Sequence, residues 1–376
     1  MRTVRPIVRL VVALGIASCS IYDSSLLVDA SPDVAVEAAS PPDASPDVVD
    51  SCQHAEPPAR PAADDPSDGG DIEIVAALAQ IDFDVANDAG VPYGFDLDHT
   101  CTCPGPDSCV PLDGGSPHCD EEGGRDNAGG ALIQQFSQLT SQLSTSKINE
   151  NIAAGAFTML LRVRGYNGMP NDTNVQLAVF ASNGTLPLDD AGNDPPPKHD
   201  GTDEWSVDPT SVVGTPPPYV AVYEDDAAYV AGGVLVASVS FPFSIGSGFG
   251  VDFLRIDGAI LAGALTHGAN GWALSGVIAG RWDTRNILTG METLHDPFNS
   301  SEFLCGDDPT YQVFKAAICA ASDITKTPAN DNSGAPCDAL SLAIAVTAEP
   351  AQLGALQTGG ARQSPCGATY SDQCGN

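Results

Sequence analysis

The chain has 376 residues, with 49 acids against 15 lysines and arginines and a formal net charge of −34 at pH 7. Such a surface repels nucleic acid and anionic lipid headgroups, so neither is an expected partner. With 43% hydrophobic residues, the chain is nonetheless long and apolar enough to bury one large core or two modest ones.

In chain order, the first element is an export signal. Arg2, Arg5 and Arg9 precede a short apolar run from Leu10 to Ala17, too brief to span a bilayer. The run ends in Ile16-Ala17-Ser18-Cys19, which resembles the lipobox of bacterial lipoproteins. That resemblance implies removal of residues 1–18, acylation of Cys19 with chains such as palmitate, and a stable anchor without any transmembrane helix. By the same analogy, Ser20 rather than Asp after the lipidated cysteine implies the outer membrane, on its periplasmic face or at the cell surface. Cleavage removes three arginines and no acid, which moves the net charge from −34 to −37.

Residues 19–71 follow as the lipidated cysteine and an Asp/Pro/Ala-rich tether. Stretches such as SPDVAVEAASPPDASPDVVDS carry prolines and like charges but no sustained hydrophobic period. They cannot bury enough apolar surface to fold. An extended spacer from the membrane is expected.

The folded domain is expected over 72–376. Strand patterns bounded by Gly, Asn and Pro occur at 156–165, 173–182, 219–225, 232–241 and 251–258. Further runs, AILAGAL, WALSGVIAGRW and ALSLAIAVTA, carry small residues suited to close sheet packing. One amphipathic helix is predicted near residues 129–147, where Leu132, Phe136, Leu139 and Leu143 keep helical spacing. Short strands with one early helix predict a mainly β fold, an antiparallel β-sandwich of the jelly-roll kind. The acidic, proline-rich stretch 188–200 reads as an exposed loop.

Of the eleven cysteines, assigning Cys19 to lipid leaves ten: Cys52, Cys101, Cys103, Cys109, Cys119, Cys305, Cys319, Cys337, Cys366 and Cys374. An even number in an oxidising compartment is expected to form disulfides. Cys101 and Cys103 are too close in sequence to bridge comfortably, and the remaining connectivity is open. A zinc site from Cys101, Cys103, Cys109 and Cys119 is the sharper alternative, but the spacing departs from that of structural zinc pairs.

Catalytic signatures are absent. No Gly-x-Ser-x-Gly elbow, His-Glu-x-x-His helix or phosphate-binding loop occurs. Asp252 and Asp257 around Arg255, and Asp283 between Arg281 and Arg285, read as ion pairs and turn caps rather than acid and base partners. Trp205, Trp272 and Trp282 could form a sugar-stacking platform or simply pack in the core.

The segment GFDLDHTCTC combines alternating acids with cysteines. Asp96 and Asp98 can turn two carboxylates inward from one loop, and Asp120, Asp126 and Asn127 follow in a glycine-rich stretch able to fold back. Hard oxygen donors on such a loop suit calcium, although the spacing is not that of a helix-loop-helix site. The competing reading is that these acids cap turns and face water.

GFDLDHTCTC, CDEEGGRDNAGG and APCDALSLAIAVTAEP together resemble a group of uncharacterised cysteine-containing lipoproteins of myxobacteria that also carry Asp/Pro-rich tethers. The resemblance implies class and location, not an activity. The expected function is therefore a membrane-tethered extracytoplasmic binding or structural module, stabilised by disulfides and calcium, whose ligand would be a glycan or a protein. A hydrolase acting on a glycan or other polymer through an unrecognised acidic site is the main alternative, and a scavenging receptor for a small solute is a third.

Overall fold

The computed structural model describes residues 52–62, 69–103, 105–112, 117–214, 218–243, 254–358, 365–367 and 371–375. The segment expected to be the export signal, Cys19 and most of the expected tether lie outside the described residues. In chain order the elements are β1 (Ile72–Asp82), α1 (Ala128–Ser137), α2 (Thr145–Ala153), β2 (Thr158–Tyr166), β3 (Asp172–Ser182), β4 (Thr185–Leu186), β5 (Glu204–Val207), β6 (Val212–Val213), β7 (Val220–Ala221), β8 (Tyr223–Ala231), β9 (Val234–Phe243), β10 (Leu254–Gly268), β11 (Gly271–Asp283), α3 (Thr284–Gly290), α4 (Pro309–Ala320), β12 (Ala339–Pro350) and β13 (Gln352–Leu356).

The fold is mainly β, but the main sheet is a closed barrel and not a sandwich. Eight antiparallel strands run β1-β2-β3-β8-β9-β10-β11-β12 around the wall, and β12 returns to pair with β1. The short, turn-bounded strands that suggested a sandwich serve a barrel equally well, because both turn one face of each strand to a core. Ile74, Ala76 and Leu78 of β1, Leu235 and Ala237 of β9, and Leu342, Ile344 and Val346 of β12 all join one buried cluster. Eight strands leave an interior just wide enough for side chains to fill, and here they fill it. The same cluster continues through Phe136, Ile148, Ile287 and Phe314, so the helices close one end of the barrel with apolar side chains.

The helix expected over 129–147 is two helices, with Ser141–Leu143 in a short 3-10 turn between them. Hydroxyls cause the break. Thr140 accepts from the Gln142 amide and Ser144 caps α2 by accepting from the Lys147 amide, which draws the backbone out of a continuous helix. Leu139, expected on the apolar stripe, is exposed.

The ten remaining cysteines form five disulfides: Cys52–Cys101, Cys103–Cys119, Cys109–Cys337, Cys305–Cys366 and Cys319–Cys374. Cys109–Cys337 ties the long loop after β1 to the start of β12. Residues 52–62, read in the sequence as the end of the tether, form a strap along the barrel. There the Tyr229 hydroxyl donates to Pro58 O (2.6 Å) and the Arg60 guanidinium lies 4.5 Å from the Tyr229 ring centroid.

Candidate metal centre

The loop between β1 and α1 crosses the outside of the barrel. Tyr93, Phe95 and Leu97 pack on Val236, Ala262, Val277, Ala343 and Ala345, the outward residues of β9 to β12. In an extended segment neighbouring side chains point to opposite faces, so Asp96 and Asp98 point away from the barrel wall. They are nevertheless buried, with 3% and 4% of their surface exposed, because two other segments fold over them. The strap lies on one side, where the Asp96 amide donates to Ala55 O (2.9 Å), and residues 121–126 lie on the other, where the Asp126 amide donates to Phe95 O (3.1 Å).

Gly123 and Gly124 make the second crossing possible. Both have positive φ, and a Cβ on Gly124 would lie 2.8 Å from Asp96 Oδ2 and 2.8 Å from Cys101 Sγ. Only glycine fits a left-handed turn this close to its neighbours.

The result is a cluster of carboxylates. Asp96, Asp98 and Asp126 each bring an oxygen within 4.8 Å of the other two. Asp120 is half-buried beside them and interacts electrostatically with Asp98, Asp96 and Asp323. Backbone amides hold the set in place: the Thr100 amide donates to Oδ1 of both Asp96 and Asp98 (3.1 and 2.9 Å), Leu97 to Asp126 Oδ2 (2.7 Å), and Thr102 to Asp120 Oδ2 (2.6 Å). These bonds engage only one oxygen of each of Asp98, Asp120 and Asp126. The buried Ser108 hydroxyl lies beside Asp98, close enough to favour its charged form but without the geometry of a completed hydrogen bond.

Burial and mutual repulsion push these groups upward. Desolvation, with the neighbouring Asp96 and Asp331, raises Asp98 to about 6. Asp120 is raised to about 7 by burial and by Asp98, Asp323 and Asp96. Asp126 is held well above the ordinary carboxylate range, again by burial first and then by Asp98, Asp323 and Asp120. Among the described residues, balancing positive charge is sparse. His54 of the strap touches Asp96 Oδ2 through Nδ1, and His118 acts favourably on Asp323. Arg281 is already committed to Asp331, at 2.7 Å.

Of the five residues singled out in the sequence, four gather here. Asn127 is adjacent, but its Oδ1 accepts from the amides of Gly130 (3.2 Å) and Ala343 (2.9 Å) and so caps α1 against β12. Asp323 was not foreseen. It keeps part of its surface exposed, but its carboxylate is enclosed and bonded to the amide and hydroxyl of Ser341. No donor pattern in its stretch, AASDITK, marks it; only the fold brings it near. His54 was equally hidden in the tether composition.

The other candidate groups fall elsewhere. Trp205 and Trp282 are buried, and Trp272 packs edge-on against Tyr166, so the three tryptophans form no shared platform. Arg255 pairs with Asp257 at 2.7 Å, and Asp283 caps α3 through the Arg285 amide; Asp252 lies outside the described residues. No family model, no curated protein and no solved structure matches the chain. No described helix is long and apolar enough to cross a membrane.

Proposed function

We propose that this protein is an exported, lipid-tethered surface module of binding or structural type whose outer loop is locked on the barrel by a calcium ion. The observation that carries the calcium reading is the convergence of Asp96, Asp98 and Asp126 within 4.8 Å, with Asp120 beside them. Several carboxylates taken out of water with so little positive charge nearby need either protons or a cation. All the donors are hard oxygens on loops, which favours calcium over zinc or copper. The Ser108 hydroxyl is placed to add a neutral oxygen. Among the described residues the barrel interior is packed with apolar side chains, which favours the outer loops as the face that would meet a macromolecular partner. The anchor reading rests on the Ile16-Ala17-Ser18-Cys19 pattern.

Two measurements test this. Calcium titration of the metal-stripped protein by calorimetry should give saturable binding in the millimolar to sub-millimolar range typical of extracellular modules, abolished in Asp98→Asn, with magnesium at least severalfold weaker. Absence of calcium heat in the folded wild type would overturn the metal reading. For the anchor, Cys19→Ala should move the protein from the membrane to the soluble fraction; a variant that stays membrane-bound would refute lipidation.

A further inference from the structure

Asp120 reaches the acid cluster by a route of its own. Asp96, Asp98 and Asp126 lie on segments fixed by Phe95 and Leu97 packing on the barrel wall and by backbone bonds to the strap and to Phe95. Asp120 instead ends the stretch 117–120, which the Cys103–Cys119 disulfide holds against residues 101–103. The Thr102 amide donates to Asp120 Oδ2 (2.6 Å), so each partner in that bond is the chain neighbour of one bridged cysteine. His118 adds a further contact from an exposed position, its Nε2 lying 2.7 Å from Ala320 O. Charge works the other way, because Asp98, Asp323 and Asp96 all repel the Asp120 carboxylate. Cys103 is also held at φ 82°, a left-handed conformation that a non-glycine residue keeps only where its surroundings impose it. Of the five disulfides, this one alone has both cysteines exposed, and exposed disulfides are the readily reduced ones. The cluster itself is more than a group of acids: the Ser108 hydroxyl is turned toward Asp98, and Ser108 is only 2% exposed with that oxygen lacking a completed hydrogen bond.

We propose that the Cys103–Cys119 disulfide is a redox switch on the cation site. Closed, it keeps Asp120 among the carboxylates and calcium binds tightly. Opened, it lets repulsion carry Asp120 into solvent, and affinity falls. The inference rests on the calcium reading of the cluster. The chemistry balances with a small thiol as reductant: two thiol molecules give up two electrons and two protons, joining as one external disulfide, and Cys103 and Cys119 become thiols. Asp96, Asp98 and Asp126 keep their own supports, so the site is weakened and not abolished, by about 10- to 100-fold, as when a supporting group at a metal site is lost. Coupling is reciprocal. Calcium therefore favours the closed disulfide by the same factor, and each tenfold corresponds to about 30 mV for this two-electron couple.

The test measures calcium affinity by calorimetry on three forms of the mature chain: oxidised, opened by limiting dithiothreitol and alkylated with iodoacetamide, and Cys103→Ser/Cys119→Ser. Mass spectrometry should find label on Cys103 and Cys119 before any other cysteine. Both opened forms should bind calcium about 10- to 100-fold more weakly than the oxidised chain. Asp120→Asn should show a similar loss with the disulfide closed, and opening it should then cost little more, since the two changes act through one group. In a thiol–disulfide buffer, saturating calcium should shift the Cys103–Cys119 equilibrium of the wild type toward the disulfide by the same factor. Equal affinity of the oxidised and opened forms would overturn the switch and leave the calcium reading standing, whereas absence of binding to the oxidised wild type would overturn both. A full further loss on opening Asp120→Asn would also overturn the proposal. So would loss of the near-ultraviolet circular dichroism spectrum on opening, because the staple would then hold the fold and not Asp120.

Discussion

Arg281 sets a fixed positive charge against one acid, Asp331, beside the cluster. Its side chain is 2% exposed and meets Asp331 with two bonds, of 3.0 and 2.7 Å, while also donating to Leu97 O (2.7 Å) and to Thr325 O. It thus ties the segment bearing Asp96 and Asp98 to the loop after α4. Removing one partner of a buried pair strands the other charge, so Arg281→Met should cost about 3–5 kcal/mol. The double variant Arg281→Met/Asp331→Asn should recover part of that loss, as read by urea unfolding; equal losses in both would show that packing, not the charge pair, matters there. The acids themselves were legible because Asp96 and Asp98 alternate in a segment whose Phe95 and Leu97 demand a buried face. Asn127 was misleading for a physical reason: an asparagine just before a helix is as natural a cap as a metal ligand. Asp323 could not be read, since its approach depends on where α4 and β12 lie in space.

At the scale of elements, barrel closure depends on β1. Its sequence IEIVAALAQID alternates only in part, and register shifts near Ile72 and Leu78 interrupt its pairing with both neighbours, so no period announces it as the strand that seals the ring. The strands that were read, β2, β3, β9, β10, β11 and β12, alternate or form short apolar runs bounded by turns, but such patterns cannot distinguish a ring from two stacked sheets. The small residues in β10 and β11 have a direct structural meaning. Gly276 faces Gly263 across the pair, and a Cβ there would lie 2.1 Å from Ala262 O. Since that neighbour is backbone, Gly276→Ala should destabilise by about 1–3 kcal/mol or more, despite the 0.5–1 kcal/mol that alanine ordinarily gains over glycine in a strand. Gly268→Ala, whose nearest contact would be 3.9 Å away, should be neutral or mildly stabilising. Equal effects of the two in thermal unfolding would refute this account of the packing.

For the whole molecule, an apolar barrel carries on its outer wall a stapled loop system that concentrates buried negative charge. Cys109–Cys337 and Cys52–Cys101 hold the loop and strap in place, and within that frame the acids must be neutralised. Asp98, Asp120 and Asp126 all have folded-state values raised above those of the unfolded chain. The folded protein therefore binds more protons between about pH 4 and 7, and without metal its stability should fall as pH rises through that window. The groups facing these acids are Asp96, Asp323, Asp331, His54 and His118, with Arg281 neutralising Asp331. Calcium should replace the protons. At 10 mM and a Kd of 0.1–1 mM it adds about 1.4–2.7 kcal/mol, a shift of several degrees for a domain of this size. The decisive measurement is the melting midpoint from pH 5 to 8, taken with 10 mM calcium and with chelator, for wild type and Asp98→Asn. The midpoint should fall with pH in chelator, rise by several degrees with calcium by an amount that grows toward pH 8, and respond little to calcium in the variant. Superimposable wild-type curves with and without calcium across that range would contradict the calcium reading.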